Sequence, residues 1–360
     1  MKLVYLSPVP WNSMSQRPHF FIKHAFSAGI KEIMWVDPYP GRLPNFDDLV
    51  PGRHTKEPAS KHSFQRLTIL PAPAVFPIEP FHLLFKIINK RSIERIKRQV
   101  NDFKDENTLL VIGKPSLLAL DLIKQAGWKS SWFDAMDNYP AFFKGISARS
   151  MTAIEKQLAS EVNTVICSSH SLQEKFSKLS NVELCLNACT EDFITNDAVE
   201  LIKTDESIIF GYVGTIASWF DWRWVIELAE LNPSSSIRLI GPLKTLKPAN
   251  LPGNISIEKA ISHDEVPALL SEIDVGLIPF QINEITRYVD PIKFYEYSAK
   301  KIPLLSTKFG EMVCHFNKIT ENRINCPFNV PNDTLYFNEN CAENISWEIR
   351  FSELFPKILT

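Results

Sequence analysis

The sequence contains no long hydrophobic run. No uninterrupted apolar segment approaches the roughly 18–20 residues that a membrane-spanning helix needs. At the amino end, the apolar stretch from Leu3 to Leu6 is closed at once by Ser7 and Pro8. This stretch is too short for the core of a signal peptide, and it predicts a first β-strand instead. We therefore expect a cytoplasmic protein.

A surplus of one charge is also lacking. The 39 Lys and Arg residues against 41 Asp and Glu give a formal net charge of −2, whereas a general nucleic-acid binder needs a basic surplus to release counterions. We expect no nucleic-acid partner. With 45% hydrophobic and 22% charged residues, the 360-residue chain has a globular composition and the length for two domains with separate cores.

Metal-binding cysteine patterns are absent as well. None of the six cysteines forms a CxxC pair. Cys185 and Cys189 stand four residues apart, but no His or Cys cluster lies near them in the sequence to complete a zinc site. We expect free thiols in a reducing cytoplasm. The six are Cys167, Cys185, Cys189, Cys314, Cys326 and Cys341.

Strand and helix patterns alternate along the first half of the chain. Strands are predicted at Lys2–Ser7, Ile33–Val36, Leu67–Leu70, Leu109–Gly113, Ser130–Asp134, Thr164–Ser168 and Val182–Leu186. Helices are predicted at Ser15–Ser27, Phe81–Asn101, Ser116–Ala126, Thr152–Ala159 and Ser171–Leu179. The Pro-rich stretch Pro38–Pro80 predicts a long surface excursion. Such alternation indicates a parallel sheet covered by helices on both faces.

The alternation restarts after a polar, acidic segment, Glu191–Ser207, which is the predicted linker. Strands follow at Ile208–Val213, Ile237–Ile240, Ile255–Glu258, Val275–Pro279 and Ile302–Ser306, with helices at Trp222–Leu231, Asp264–Ser271, after Pro291 and at Glu343–Leu359. The predicted fold class is α/β, with doubly wound domains at residues 1–195 and 206–340 and a terminal helix within 341–360. Ligands of such sheets bind at the carboxyl ends of strands.

The segment Asp290 to Tyr297, DPIKFYEY, is the most informative part of the chain. Asp290 suits an N-cap and Pro291 a first helical position, so a helix is expected to begin here. Lys293, Glu296 and Tyr297 then share one face. Because a helix start attracts anions, Lys293 predicts a phosphate contact and Glu296 a contact with ribose hydroxyls. A solvated ion pair is the alternative, which spacing alone favours.

Two strand ends carry further candidates. Gly214 and Thr215 follow a strand of the second domain, where glycine allows a phosphate to approach the backbone; a turn glycine is the alternative. Asp134 ends a strand of the first domain, and Asp137 lies in the loop beyond it. A carboxylate that faces the cleft can take a proton from a sugar hydroxyl, and capping of the next helix or turn is the alternative.

Basic residues mark two other places in the first domain. Arg17 lies near the start of the first helix, where it can pair with a phosphate or carboxylate, and His19 is a candidate base or a plain surface residue. The segment Phe81–Arg98 carries basic residues against a single acid, Glu94. Its basic residues are Lys86, Lys90, Arg91, Arg95, Lys97 and Arg98. The pattern predicts contact with an anionic membrane face or a helix that packs on the core.

Six short motifs, in their order and spacing, carry a resemblance. They are Ser15-Gln16-Arg17-Pro18, Phe133-Asp134-Ala135-Met136-Asp137, Ile166-Cys167-Ser168-Ser169, Gly211-Tyr212-Val213-Gly214-Thr215 with Trp219-Phe220-Asp221, Asp274–Phe280, and Pro291–Tyr297. Together these motifs resemble those of GT-B-fold glycosyltransferases, in particular the bacterial enzymes of teichuronic-acid and other exopolysaccharide or capsule synthesis.

The resemblance implies two Rossmann-like domains that face a central cleft, with the acceptor in the first domain and a nucleotide-sugar donor, most simply a UDP-sugar, in the second. It also implies that the final helix, at 341–360, crosses back onto the first domain. The implied donor-binding residues are Gly214, Thr215, Asp290, Lys293, Glu296 and Tyr297. Glu296 would hold the ribose, while Gly214, Thr215 and Lys293 lie near the diphosphate. No cofactor or metal is implied, because helix starts and basic side chains neutralise the leaving diphosphate.

For the acceptor, the resemblance implies a glycan or lipid-linked molecule, in cell-surface polysaccharide synthesis at the inner membrane face. Gln16, Arg17 and His19 would bind the acceptor or a phosphate. Asp137, or else Asp134, would be the acceptor base if the enzyme inverts the anomeric centre. A nucleotide-sugar epimerase of the same fold and a non-catalytic sugar-binding protein are the alternative functions.

The chain departs from the family pattern at two places. Many relatives have a second Glu eight residues before the ribose-binding one, where this chain has Tyr288. Relatives also often have Asn-Gly after the last strand of the first domain, where this chain has Asn187-Ala188-Cys189. The first departure leaves open the donor sugar and whether the anomeric centre is retained or inverted, and the second concerns only a turn.

Overall fold

The structure is a computed structural model that describes residues 1–13, 16–43, 64–194, 207–319, 325–338 and 346–359. It divides into two compact units, Met1–Cys185 with Phe351–Thr360 and Leu186–Arg350. Some predicted features lie outside the described residues: Ser15 at the start of the first helix, much of the Pro38–Pro80 excursion and of the Glu191–Ser207 linker, the domain limits at 195, 206 and 340, Cys341, and the start of the last helix at Glu343.

The first unit contains one seven-stranded sheet. Its strands are β1 (Lys2–Leu6), β2 (Glu32–Val36), β3 (Leu67–Leu70), β4 (Thr108–Ile112), β5 (Ser130–Ala135), β6 (Thr164–Cys167) and β7 (Val182–Leu184). Their spatial order is β3-β2-β1-β4-β5-β6-β7, and every neighbouring pair is parallel. All five residues of β4 are buried, as expected where helices cover both faces of a sheet. The predicted parallel sheet is confirmed.

The helices of the first unit include one break that the sequence pattern did not predict. They are α1 (Arg17–Ser27), α2 (His82–Ile88), α3 (Lys90–Phe103), α4 (Leu117–Ile123), α5 (Gly145–Glu161) and α6 (His170–Phe176). A single helix was expected over Phe81–Asn101, but α2 and α3 meet at the buried Asn89. Its side chain accepts a hydrogen bond from the Phe76 N–H at 2.7 Å and donates to the Phe76 carbonyl at 3.1 Å, so the break is fixed by a residue distant in sequence.

The second unit contains a six-stranded sheet. Its strands are β8 (Ile209–Val213), β9 (Ser236–Ile240), β10 (Ile255–Glu258), β11 (Val275–Ile278), β12 (Leu304–Thr307) and β13 (Thr334–Phe337), in the spatial order β10-β9-β8-β11-β12-β13. Five strands are parallel, and β13, which was not predicted, pairs antiparallel with β12 at the edge. The doubly wound order places the carboxyl ends of β8, β9 and β11 at one edge, where ligands of such sheets bind.

The remaining helices are α7 (Trp222–Leu231), α8 (Val266–Leu270), α9 (Ile292–Ala299), α10 (Gly310–Lys318) and α11 (Trp347–Leu359). In α11, Phe351 and Phe355 lie against Phe21 of α1, with ring centroids 5.4 and 5.0 Å apart, so the end of this helix belongs to the core of the first unit. Among the described residues, every helix is too short or too polar to cross a membrane.

Candidate active site

Two glycines end adjacent strands at the carboxyl edge of the second sheet. Gly214 follows β8 with φ +154°, and Gly241 follows β9 with φ +146°, backbone conformations that favour glycine. A Cβ on Gly241 would lie 2.7 Å from the Gly214 carbonyl carbon. A Cβ on Gly214 would lie 2.6 Å from the Lys293 Nζ. Bare backbone therefore meets an ammonium group at this edge, as in a cradle for an anion.

The Lys293 ammonium lies in a partly desolvated place. It stands 5.6 Å from the centroid of the Tyr212 ring, and the Tyr212 hydroxyl donates to the Thr215 carbonyl at 2.8 Å. Burial lowers the pKa of Lys293, and the nearby Glu296 carboxylate opposes that shift. A half-buried cation of this kind is stabilised by an incoming anion. The predicted residues Gly214, Thr215 and Lys293 are thus brought together.

Glu296 lies one turn further along α9. Its carboxylate is 3.9 Å from the His263 Nε2, and the His263 ring packs edge-on against Phe193 at 5.6 Å. Within the described part of the chain, no side chain or backbone group donates a hydrogen bond to this carboxylate. Its oxygens can therefore accept hydrogen bonds from a ligand diol. His263 was not among the sequence candidates, because a single loop histidine carries no pattern.

Tyr297 and Asp290 have partners inside the second unit. The Tyr297 ring lies on Gly276 of β11, and its hydroxyl donates to the Gly211 carbonyl at 3.1 Å and accepts from the Val213 N–H at 3.3 Å. Tyr297 thus fastens the end of α9 to the sheet. Asp290 does not cap α9, and the expected N-cap was wrong. The helix begins at Ile292 after Pro291, without a side-chain cap, because the Asp290 carboxylate is held by donors elsewhere.

In the first unit, Asp134 forms a buried ion pair. The Arg17 Nε donates to the Asp134 Oδ1 at 3.0 Å, and the Tyr5 hydroxyl donates to Oδ2 at 3.0 Å. Arg17 Nη1 also donates to the Cys185 carbonyl at 2.8 Å. Arg17 and Asp134 are 3% and 0% exposed, so this pair connects α1 to β5 in the core. Their roles in acceptor or phosphate binding stay predictions.

His19 is likewise buried and engaged at both ring nitrogens. Its Nδ1 accepts from the Gln16 N–H at 3.2 Å, and its Nε2 lies 3.0 Å from the Trp11 carbonyl. Because a carbonyl can only accept, the proton lies on Nε2 and Nδ1 is the acceptor. His19 and Gln16 therefore shape the start of α1, and their part in acceptor binding also stays a prediction.

Asp137 differs from Asp134, three residues before it. Its carboxylate is half-buried in the loop after β5 and has no hydrogen-bond or ion-pair partner in the described ranges of the chain. Burial raises the pKa of Asp137 to about 7, close to the value suited to a general base near neutral pH. The following Asn138 accepts from the Lys175 Nζ at 2.8 Å, and Lys175 also pairs with Glu155. The loop that carries the free carboxylate is therefore fixed.

Comparison with known proteins places these units in a class. No protein-family model matches the chain. The HepE protein of Anabaena, crystallised with UDP-glucose, superposes with a TM-score of 0.58 at 11% identity, over 99% of this chain and 89% of HepE. Sucrose-phosphate synthase of Thermosynechococcus elongatus superposes with a TM-score of 0.57 at 13% identity, over 88% of this chain and 83% of that enzyme. The chain has the GT-B fold, as predicted.

A sequence relative carries the likeness further. Over 201 residues, 50% of this chain, it is 22% identical to the teichuronic acid biosynthesis glycosyltransferase TuaH of Bacillus subtilis strain 168. The match spans about half of that relative, 51% of its length. The predicted resemblance to bacterial glycosyltransferases of this kind is therefore confirmed.

Proposed function

We propose that the protein is a glycosyltransferase that moves a sugar from a nucleoside diphosphate sugar to a glycan or lipid-linked acceptor, in the synthesis of a cell-surface polysaccharide. One observation carries the proposal. The Lys293 ammonium lies over the bare Gly214 backbone, and the Glu296 carboxylate, with oxygens open to a ligand, stands one turn along the same helix. In this proposal the diphosphate contacts Lys293 and the ribose attached to it contacts Glu296.

In this proposal the second unit holds the donor. The diphosphate lies at the uncapped start of α9, beside the backbones of Gly214 and Gly241. Lys293 neutralises its charge as the bond to the sugar breaks. Glu296 accepts two hydrogen bonds from the ribose diol, an arrangement for which a carboxylate that accepts no hydrogen bond from the described residues is suited. These groups supply the positive charge that a metal would otherwise provide, so transfer needs no metal. UDP is the proposed nucleotide, in line with the UDP-glucose bound by HepE.

The first unit supplies the acceptor side. Asp137 accepts a hydrogen bond from the acceptor hydroxyl and takes its proton as the new glycosidic bond forms. Asp134 cannot serve in the same way while Arg17 and Tyr5 occupy both of its oxygens.

Donor turnover tests the proposal. Purified protein is incubated with UDP-glucose and a panel of glycan and lipid-linked acceptors, and released UDP and glycosylated product are measured together. Glu296→Ala should raise the donor KM by about tenfold or more, whereas Glu230→Ala, an exposed carboxylate on α7, should not. Product formed without any acceptor would indicate an epimerase, and an unchanged donor KM in Glu296→Ala would remove the ribose assignment.

The membrane contact expected from Phe81–Arg98 belongs to the same proposal. The apolar side of α3 is buried through Ile93, Ile96 and Val100, in line with core packing. By contrast, α2 buries Phe85 but exposes its other large apolar side chains, with Leu83 and Ile87 75% and 63% exposed. The exposed set on and around α2 is Phe81, Leu83, Leu84, Ile87 and Ile88. With Lys90, Arg91, Arg95 and Arg98 beside it, this surface matches an anionic membrane, where apolar side chains insert and basic ones pair with headgroups.

Vesicle sedimentation tests the membrane contact. The protein should sediment with phosphatidylglycerol vesicles and far less with phosphatidylcholine vesicles, and added salt should release it. Leu83→Glu with Ile87→Glu should abolish sedimentation, while Leu246→Glu, at a residue 92% exposed in the second unit, should not. The contact would be contradicted if the protein bound both vesicle types equally, or if the double variant sedimented as well as wild type.

A further inference from the structure

A buried hydrogen-bond cluster lies beneath the first turn of α9. The Asp290 Oδ2 accepts from the Asn187 N–H at 2.7 Å and from the Tyr295 hydroxyl at 2.9 Å. The Asp290 Oδ1 lies 3.0 Å from the His315 Nε2. The Asn187 side chain in turn donates to the Asp290 carbonyl at 2.6 Å. We call Asn187, Asp290, Tyr295 and His315 the Asp290 cluster.

The cluster joins three segments that are far apart in sequence. Asn187 comes from the start of the second unit, Tyr295 from α9 and His315 from α10. The His315 ring stacks on Phe294 at 4.1 Å with an interplanar angle of 12°, which holds its Nε2 towards Asp290. Burial first, and then the Asp290 charge, raises the pKa of Tyr295, so the phenol remains a neutral donor. Each described group that is hydrogen-bonded to the Asp290 carboxylate is therefore a donor.

Both Asp290 oxygens are occupied from inside the second unit, and its side chain is fully buried. A direct contact of Asp290 with a ligand would require these bonds to break. Its position is nonetheless significant, since Lys293 and Glu296 follow within two turns. The end of α9 is fastened separately by Tyr297, and its start has no side-chain cap. The orientation of the first turn of α9 thus depends on the Asp290 cluster.

We propose that the Asp290 cluster positions Lys293 and Glu296 for the donor, with His315 and Tyr295 as positioning residues that do not touch it. This inference rests on the proposed function, because it explains what orients two side chains that the proposed function assigns to donor binding. The physical reason is that a displacement of about 1 Å of a binding group costs far more than the loss of one peripheral contact. Charge-assisted hydrogen bonds in a dry site resist such a displacement.

The experiment compares variants that keep the shape of a residue with variants that keep its hydrogen bond. His315→Phe keeps an aromatic ring against Phe294 but loses the N–H donor, and Tyr295→Phe loses only the hydroxyl. His315→Gln offers an amide N–H in place of the ring. We expect His315→Phe and Tyr295→Phe to raise the UDP Kd and the donor KM about tenfold, with the acceptor KM unchanged, and His315→Gln to recover at least a third of the wild-type affinity.

Trp224→Phe is the matched control. It removes the indole N–H donated to the Thr334 hydroxyl at 3.0 Å in the same unit, so a general loss of stability lowers the Tm of both types of variant. Only the cluster variants should change the UDP Kd at a temperature where all are folded. If Trp224→Phe weakens UDP binding equally, the cluster has no special role.

The remaining outcomes separate this inference from the proposed function. If wild type binds UDP and Glu296→Ala weakens it, but His315→Phe and Tyr295→Phe do not, the positioning role is overturned and the donor site stands. If folded wild type binds no nucleoside diphosphate, both are overturned.

Discussion

The carboxyl edges of the two sheets differ in whether a basic side chain has an acidic partner. In the first unit Arg17 is paired with Asp134, and Lys175 with Glu155. In the second unit Lys293 has no carboxylate within ion-pair distance among the described residues, although burial lowers its pKa. A half-buried charge is costly until a partner arrives, whereas an internal pair only supports the fold. This difference is the reason why the proposed function gives the anionic donor to the second edge and a neutral acceptor hydroxyl, beside Asp137, to the first.

Asp137→Asn should give the largest effect if Asp137 is the acceptor base. The amide keeps the shape of the side chain but cannot take a proton, so kcat should fall by about 10²–10⁴-fold with the UDP Kd unchanged. Because burial raises the pKa of Asp137 to about 7, wild-type kcat should rise as pH increases through 7 and then level off. Steady-state rates from pH 5 to 9 and the anomeric configuration of the product measure this.

Asp134→Asn provides the contrast for that variant. It breaks the buried pair with Arg17, so its main effect should be a lower Tm. The rise of kcat as pH increases through 7 should remain, as in wild type. If Asp137→Asn retains wild-type kcat, or if its product and pH profile match those of wild type, Asp137 is not the base and the first edge only binds the acceptor.

Lys293→Met should give the next largest effect. Methionine keeps an unbranched apolar side chain but removes the charge that would neutralise the leaving diphosphate, so kcat/KM for the donor should fall about 10²–10³-fold. Lys175→Met is the corresponding change in the first unit. Because Lys175 holds the Asp137 loop through Asn138, it should alter the acceptor KM and leave the UDP Kd within about twofold. The reverse pattern would exchange the roles of the two edges.

Features of these edges that depend on neighbouring residues could be predicted from the sequence, whereas features that depend on residues distant in sequence could not. Local periodicity predicted the α9 face that carries Lys293 and Glu296. The rule that ligands bind at the carboxyl ends of parallel strands pointed to Gly214. Both features are present in the structure. The Gly241-Pro242 turn follows the same strand-end rule and was overlooked. Asp134 and Asp137 look alike in sequence, because what separates them is Tyr5 and Arg17, more than 110 residues away. The expected N-cap at Asp290 was wrong for the same reason, since its donors come from Asn187 and His315.

Gly214→Ala should have a smaller but clear effect. With φ +154°, a Cβ would lie 2.6 Å from the Lys293 Nζ, so the ammonium must move off the backbone and donor turnover should fall about a hundredfold. Gly253→Ala is the control in the same unit, because nothing lies within 4 Å of its added Cβ. Initial rates with UDP-glucose measure both. Equal rates in the two variants would mean that the contact of Lys293 with the Gly214 backbone has no part in donor turnover.

The smallest expected effect concerns stability in the first unit. A raised carboxyl pKa means that the folded state binds a proton more tightly than the unfolded chain, so folding loses stability as pH rises from about 4, the ordinary Asp pKa, to about 7. Asp137→Asn removes that loss, and its Tm should exceed that of wild type by on the order of 2–4 °C at pH 8 and by nothing at pH 4. Asp102→Asn, at an exposed carboxylate of α3, is the control for the change in charge. A Tm gain that is the same at both pH values would show that Asp137 is not desolvated, and the first edge would then lose the one feature that suits it to receive a hydroxyl proton.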